Sequence, residues 1–157
     1  SAFVTDWEGF TDRVMGGRSD MQVRVKSVEG TNVLHMTGRV SLENNGGFIQ
    51  VRLFFDKNRK PFNASRYKGV ALTVKGQGDF YYIHLRTSRT VFPWAYYAQK
   101  IPVSGSWQTV MLPFDDFESE NMVANRMNPG KLVSMGIVAA KQEVEVDLYV
   151  KRVELYR

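Results

Sequence analysis

Phe48-Ile49-Gln50-Val51-Arg52-Leu53-Phe54-Phe55 decides how this chain folds. Successive side chains of a strand point to opposite faces. Ile49, Val51, Leu53 and Phe55 therefore share one side, and Phe48, Gln50, Arg52 and Phe54 the other. The same period of two recurs along the chain. Met21, Val23 and Val25 alternate with Gln22, Arg24 and Lys26. Residues 33–42 follow, with Gly38 as a bulge or close-packing point. Asn44-Asn45-Gly46-Gly47 then reads as a hairpin turn into the quoted strand, because Asn and Gly accept positive φ. Val70, Leu72 and Val74 mark another strand. Residues 80–87 place Tyr81, Ile83 and Leu85 on one face and Phe80, Tyr82, His84 and Arg86 on the other. Residues 94–101, 107–112, 132–140 and 144–156 complete the set, and Pro113-Phe114-Asp115-Asp116-Phe117 reads as one irregular or helical turn. No stretch sustains a helical period. About ten short strands with turn signals between them predict an all-β chain, a β-sandwich with two sheets closed on one core.

The 157 residues form one expected domain, 1–157, with no repeat or linker. Hydrophobic residues make up 43% and charged residues 24%, ordinary for a globular domain. There is no cysteine, which excludes disulfides and thiolate metal sites and leaves the compartment open. No apolar run approaches the ~20 residues of a helical membrane span. The chain opens on Ser1-Ala2, compatible with removal of a leader. The net charge of +5 attracts anionic partners. The basic residues are dispersed, however, and no reading helix or basic stripe accompanies them, which argues against nucleic acid.

Two places stand out as candidate sites. One is Asp12-Arg13-Val14-Met15-Gly16-Gly17-Arg18-Ser19. It has neither phosphate-loop spacing, nor a following helix to offer its positive end. It reads first as a tight connection that plugs one end of the sandwich. As a site, it is a partner-docking loop of Arg13, Met15, Gly16, Gly17 and Arg18, whose guanidinium groups grip carboxylates. The other is a sheet face. If Ile49, Val51, Leu53, Ile83 and Leu85 point into the core, then Gln50, Arg52, Tyr82, His84 and Arg86 point out of the same sheet, with Trp94 and Tyr96 extending the set. Rings with fixed hydrogen-bonding groups suit a ligand. The competing account covers this face with the 56–67 loop.

No catalytic constellation stands out in the sequence, although spacing alone leaves a Ser-His-Asp arrangement open. His35 and His84 are the only histidines, and neither has carboxylates at metal-ligand spacing. Beside Arg86, His84 is expected to stay neutral. No G-x-S-x-G elbow occurs. Asp6, Glu8 and Asp147 name three oxygen donors where calcium wants six or more. No enzyme activity, metal or cofactor is expected.

The Asp12–Ser19 stretch resembles the Asp-x-Val-Met-Gly-Gly-x-Ser motif of the CIA30 family (complex I intermediate-associated protein 30). Further matches follow in the family's order. They are Gly46-Gly47-Phe48, Tyr67-Lys68-Gly69-Val70, Val74-Lys75-Gly76, a Tyr-x-x-x-Arg strand from Tyr82 to Arg86, and Trp107 with Leu112-Pro113-Phe114 and Phe117. The resemblance runs from Asp6 to Tyr156. It implies a galactose-binding-domain-like jelly roll, a fold shared with many carbohydrate-binding modules. It also implies a non-enzymatic domain that assists assembly of the respiratory NADH:ubiquinone oxidoreductase complex as a chaperone-like factor with a protein partner. The alternative is a carbohydrate-binding module that holds a glycan on its aromatic sheet face.

Overall fold

The computed structural model describes residues 8–28, 30–43, 47–78, 80–122, 126–141 and 144–157. These residues form β1 (Glu8–Thr11), β2 (Asp20–Val28), β3 (Thr31–Val40), β4 (Phe48–Phe54), β5 (Gly69–Gln77), β6 (Phe80–Thr87), β7 (Tyr96–Pro102), β8 (Gln108–Pro113), β9 (Glu118–Glu120), β10 (Leu132–Ala140) and β11 (Val144–Tyr156). Short 3-10 turns occur at Asp12–Met15, Phe114–Asp116 and Pro129–Lys131. Two antiparallel sheets result. One has the order β1-β4-β10-β6-β7-β9, the other β2-β3-β11-β5-β8. The chain is the all-β sandwich that its alternation predicts.

The pleat explains the packing. In β4, Ile49, Val51 and Leu53 are buried while Phe48, Gln50, Arg52 and Phe54 are half-buried. In β6, Tyr81, Ile83 and Leu85 are buried, and Tyr82, His84 and Arg86 stand on the other side. From the second sheet come Leu34, Met36, Leu72, Val74, Leu148 and Val150. All close on one core. Each fully buried Ile or Leu contributes about 1.5–3 kcal/mol relative to exposure. Gln99, on the inward side of β7, reaches across to donate to the Pro113 carbonyl at 2.9 Å and ties the two sheets.

Two local expectations change, and the structure adds two short strands. Asn44-Asn45-Gly46 lies outside the described residues, but the strands that flank it do not form a hairpin. β3 pairs with β2 and β11, and β4 with β1 and β10. Both strands need the same core, and stacking across it buries their apolar faces as well as side-by-side pairing would. Next, residues 94 and 95 precede β7 rather than opening it. The half-turn after Phe92, closed by Ala95 N–H to Phe92 O (3.0 Å), holds Trp94 in a loop. Finally, β1 and β9, of four and three residues, are too short to print an alternation. Gly38 proves to be a close-packing point. It pairs in register with Met21, and a Cβ on it would lie 2.8 Å from Met21 Cα.

Candidate functional site

Asp12, fully buried, sits where the two sheets meet at one corner. Its Oδ1 accepts from Ser19 N–H (3.0 Å), and its Oδ2 from the Ser19 hydroxyl (2.6 Å), Gly47 N–H and Phe48 N–H (3.2 Å). Ser19 Oγ in turn accepts from Ser41 N–H at 2.9 Å. One carboxylate thus joins the entry of β2 and the end of β3 to the start of β4, in the opposite sheet. Burial pushes its pKa up, but the Ser19, Gly47 and Phe48 donors together outweigh this and leave it below 3.8. The paired glycines now have separate jobs. Gly16 caps the 3-10 turn at φ +86°, and Gly17 leaves room for the Asp12 carboxyl group.

Both arginines of this loop are exposed and make local contacts. Arg13 Nε donates to the Ser19 carbonyl (2.9 Å), and its Nη2 to Asp20 Oδ1 (2.7 Å). Arg18 lies 3.8 Å from Glu43 in an exposed pair, a contact worth little in water. Met15 is the last residue of the 3-10 turn. Asp12 and Ser19, which hold the corner, are absent from the expected docking set. Only a buried-carboxylate pattern could have exposed them.

The sheet-face candidates come together. Gln50 and Arg52 on β4 lie opposite Val138 and Gly136 on β10, which lie opposite Tyr82 and His84 on β6. His84 pairs in register with Ala98 on β7, and its ring stacks on Tyr96 at 3.8 Å and 12°. Tyr82 continues the row, tilted to His84 at 6.3 Å and edge-on to Phe80 at 5.4 Å. Gly136, on the strand between Arg52 and His84, has no side chain to fill the centre of the face. The Gln50 amide lies over it, so that a Cβ there would sit 3.0 Å from Gln50 Cδ. A cleft of about 430 Å³ opens beside the rings, lined by Tyr82, His84, Tyr96, Lys100, Glu118 and Lys141 among others. That volume suits a small ligand or a side chain. The 56–67 loop reaches this face at one corner, where Arg59 lies 4.2 Å over the Phe54 ring.

Charge reinforces this geometry. Burial first, then Lys141 and Arg86, push the His84 pKa down to about 3. The imidazole is therefore neutral near pH 7, a flat ring with one donor and one acceptor. Burial, Glu120 and Tyr82 push the Tyr96 phenol up, so it keeps its proton.

Arg86 has a different role from its neighbours. Its Nη1 and Nη2 donate to the carbonyls of Pro93 (2.8 Å) and Thr90 (3.0 Å). Asn121 Nδ2 adds a bond to the Trp94 carbonyl at 2.9 Å. The loop so pinned presents Phe92 and Trp94 as a stacked pair, 5.0 Å apart and 9° from parallel, with 54% and 59% of their surfaces exposed. Sequence reasoning found Trp94 but missed Phe92, Gly136, Lys100 and Lys141. Two of these sit in loops and two depend on strand neighbours.

Among the described residues, no group of three or more His, Asp or Glu could hold a metal ion. Asp6 lies outside them, and Asp147 is on the far sheet, bonded to His35. No helix among them is long and apolar enough to cross a membrane.

The family described as complex I intermediate-associated protein 30 (CIA30) matches residues 1–150. No curated protein matches in sequence. Among solved structures, the chain is similar to the family 11 carbohydrate-binding module of a cellulosomal cellulase of Clostridium thermocellum, with a TM-score of 0.78 at 12% identity, over 98% of this chain and 89% of that one. It is similar to the Clostridium thermocellum family 11 module in complex with a β-1,3-1,4-mixed-linked tetrasaccharide, with a TM-score of 0.77 at 13% identity, over 98% and 90%. A family 30 carbohydrate-binding module aligns with a TM-score of 0.66 at 13% identity, over 99% and 94%. At these identities the likeness is one of fold, the galactose-binding-like jelly roll.

Proposed function

This chain belongs to the CIA30 family, and from that membership we propose a non-catalytic recognition domain that serves assembly of respiratory complex I, the NADH:ubiquinone oxidoreductase, by holding a protein partner. Its working surface is the outward face of the six-stranded sheet together with the 88–95 loop. The observation that carries this reading is the exposed Phe92–Trp94 stack, whose loop Arg86 holds by two hydrogen bonds. Large rings fixed before binding lose little conformational freedom on contact, and Trp and Arg dominate the energetics of interfaces.

The test is affinity capture from the native host with wild type, Phe92→Ala plus Trp94→Ala, and Arg13→Ala plus Arg18→Ala. The wild type is expected to retain a complex I subunit, the ring variant to lose it, and the arginine variant to keep it. Loss in the arginine variant alone would move docking to the Gly16-Gly17 loop.

A second reading is favoured by the low relief at Gly136, over which only the Gln50 amide lies among its near neighbours. The Tyr82, His84 and Tyr96 rings on one side of it and Gln50 and Arg52 on the other offer a flat platform with polar groups along one edge. A saccharide would stack its C–H face there and bond to the amide and guanidinium. Binding of a neutral glucan on an array, abolished by Tyr96→Ala and accompanied by no protein capture, would replace the first reading with this one.

A further inference from the structure

The outward face of the five-stranded sheet carries a second constellation, built from strands that the first site does not use. His35, Tyr149 and Lys75 stand in one row across β3, β11 and β5. The His35 and Tyr149 rings stack at 3.9 Å and 7°. Trp107, just ahead of β8, meets Tyr149 edge-on at 6.4 Å. Lys75 Nζ lies 5.1 Å from the Trp107 ring centre and 5.2 Å from that of Tyr149. The β11–β5 register shifts between Val150 and Arg152, so Lys151 is the extra residue of a bulge. Bulges re-aim side chains, and this one brings Lys151 Nζ to 4.6 Å from the same Trp107 centre.

Two ammonium groups thus share one indole. The ring's quadrupole attracts each of them but neutralises neither. Asp147, two residues before Tyr149 on the same strand, is occupied: the His35 Nε2–H donates to its Oδ1 at 2.6 Å. Among the described residues no carboxylate lies within 4.0 Å of Lys75 or Lys151. The rings hold both cations, and among the described residues no acceptor is seen for their remaining N–H donors.

We propose that Lys75 and Lys151, held over Trp107, bind a carboxylate from an acidic segment of a protein partner. The surroundings select a short acidic group over a repeating polyanion. Asp147 and Glu145, the latter 3.9 Å from Arg39, stand on the same face and bound the basic spot along β11. A uronate chain or nucleic acid laid along β11 would run into those charges, whereas one glutamate beside an apolar residue fits the lysines and the half-buried Trp107. This site is on the opposite sheet from the surface proposed above and stands or falls separately.

The test is a titration of the isotope-labelled full chain, read at the Trp107 indole N–H resonance. The probe is a blocked peptide of alternating glutamate and phenylalanine. Controls are the same peptide with glutamine for glutamate, sodium sulfate, and polygalacturonate. The glutamate peptide is expected to shift the signal saturably and the glutamine peptide not to. Lys75→Gln plus Lys151→Gln is expected to weaken binding by about tenfold or more, as loss of a bridged charge does. Lys151→Gln alone, in the bulge, serves if the pair disturbs folding and is expected to weaken binding severalfold. Equal binding by either variant, equal binding of the glutamine peptide, or no response at Trp107 overturns the proposal. Tighter binding of polygalacturonate than of the peptide overturns it in favour of a glycan, and a response to sulfate alone reduces it to a non-selective anion contact. Phe92→Ala plus Trp94→Ala should leave the Trp107 response unchanged, which separates this site from the first.

Discussion

Gly17 packs directly on the buried carboxyl group of Asp12: a Cβ on Gly17 would lie 2.8 Å from Asp12 Cβ and closer still to the carboxyl carbon. Gly16, its neighbour, has open space around it but a φ of +86°. The two glycines should therefore fail differently. Gly17→Ala is expected to destabilise by about 1–3 kcal/mol through overpacking. Gly16→Ala should cost about 1 kcal/mol for its left-handed backbone. Asn tolerates that backbone region, so Gly16→Asn should nearly restore stability while Gly17→Asn should not. Denaturant midpoints of the four variants check this, and equal losses for both Asn variants would refute the division of labour.

Asp12 makes the corner sensitive to acid. Its folded pKa lies below 3.8, so between the folded and unfolded values the unfolded chain binds more protons. The stability that Asp12 contributes is complete above about pH 4 and is lost as pH falls through the folded pKa. Asp12→Asn removes that dependence but puts an NH2 group against N–H donors. It should cost on the order of 3 kcal/mol at pH 7, since bonds to a charged acceptor are among the stronger ones. Unfolding curves at pH 2.5–7 for both proteins read this directly.

His84 has the same sign in a different window. Its pKa falls from 6.5 to about 3 on folding, so the unfolded chain is protonated first as pH drops. Stability should decline progressively from about pH 6.5 towards pH 3, and His84→Gln should flatten that slope. Between pH 7 and 8 the ring is neutral in both states, and no dependence on His84 is expected there. An unchanged slope in His84→Gln would place its proton uptake elsewhere.

Arg86 links the sheet to the exposed ring pair. Arg86→Lys keeps the charge but cannot reach both the Pro93 and Thr90 carbonyls in a planar fork. A loss of about 1–2 kcal/mol is expected. Faster hydrogen exchange should be confined to the 88–95 loop, and partner capture should weaken. Exchange that rises throughout β6 would mean that Arg86 supports the sheet instead.

Adjacent residues of β6 should respond oppositely. Ile83, fully buried, is expected to cost about 2–5 kcal/mol on replacement by Ala. Tyr82→Ala and His84→Ala, on the other face, should cost about 1 kcal/mol each while lowering affinity for whatever occupies the cleft. Thermal melts paired with a binding assay separate the two faces. A Tyr82→Ala loss as large as that of Ile83→Ala would make the outward face a second core.

Alternation carried the strands of the sandwich because a two-residue period is local: each side chain's face follows from its neighbours in the chain. The inward and outward sets of β4 and β6 were readable for that reason, and so were Gln50, Arg52, Tyr82 and His84 as one group. Strand partners were not readable. β3 and β4 both present an apolar face, and either pairing or stacking buries it. Residues outside strands were equally opaque. Trp94 was visible as an aromatic residue, but its loop position depends on a turn at Phe92 and on Arg86 reaching over from β6. Phe92 belongs to the same surface only because of that reach.

The deepest contrast lies in the motif around Gly16 and Gly17. Its residue types marked it as a tight connection, because glycine's backbone freedom is a property of one residue. That Asp12 is its centre could not be inferred. The donors Ser19, Gly47 and Phe48 come from segments up to 36 positions away. They converge only once both sheets have closed. The same holds for Lys75, Lys151 and Trp107, which three separate segments and one bulge bring to a single ring. Periodicity is written along the chain and survives without a fold. Convergence of charged and polar groups comes from long-range register, which burial, turns and ladder hydrogen bonds select together once the sheets close.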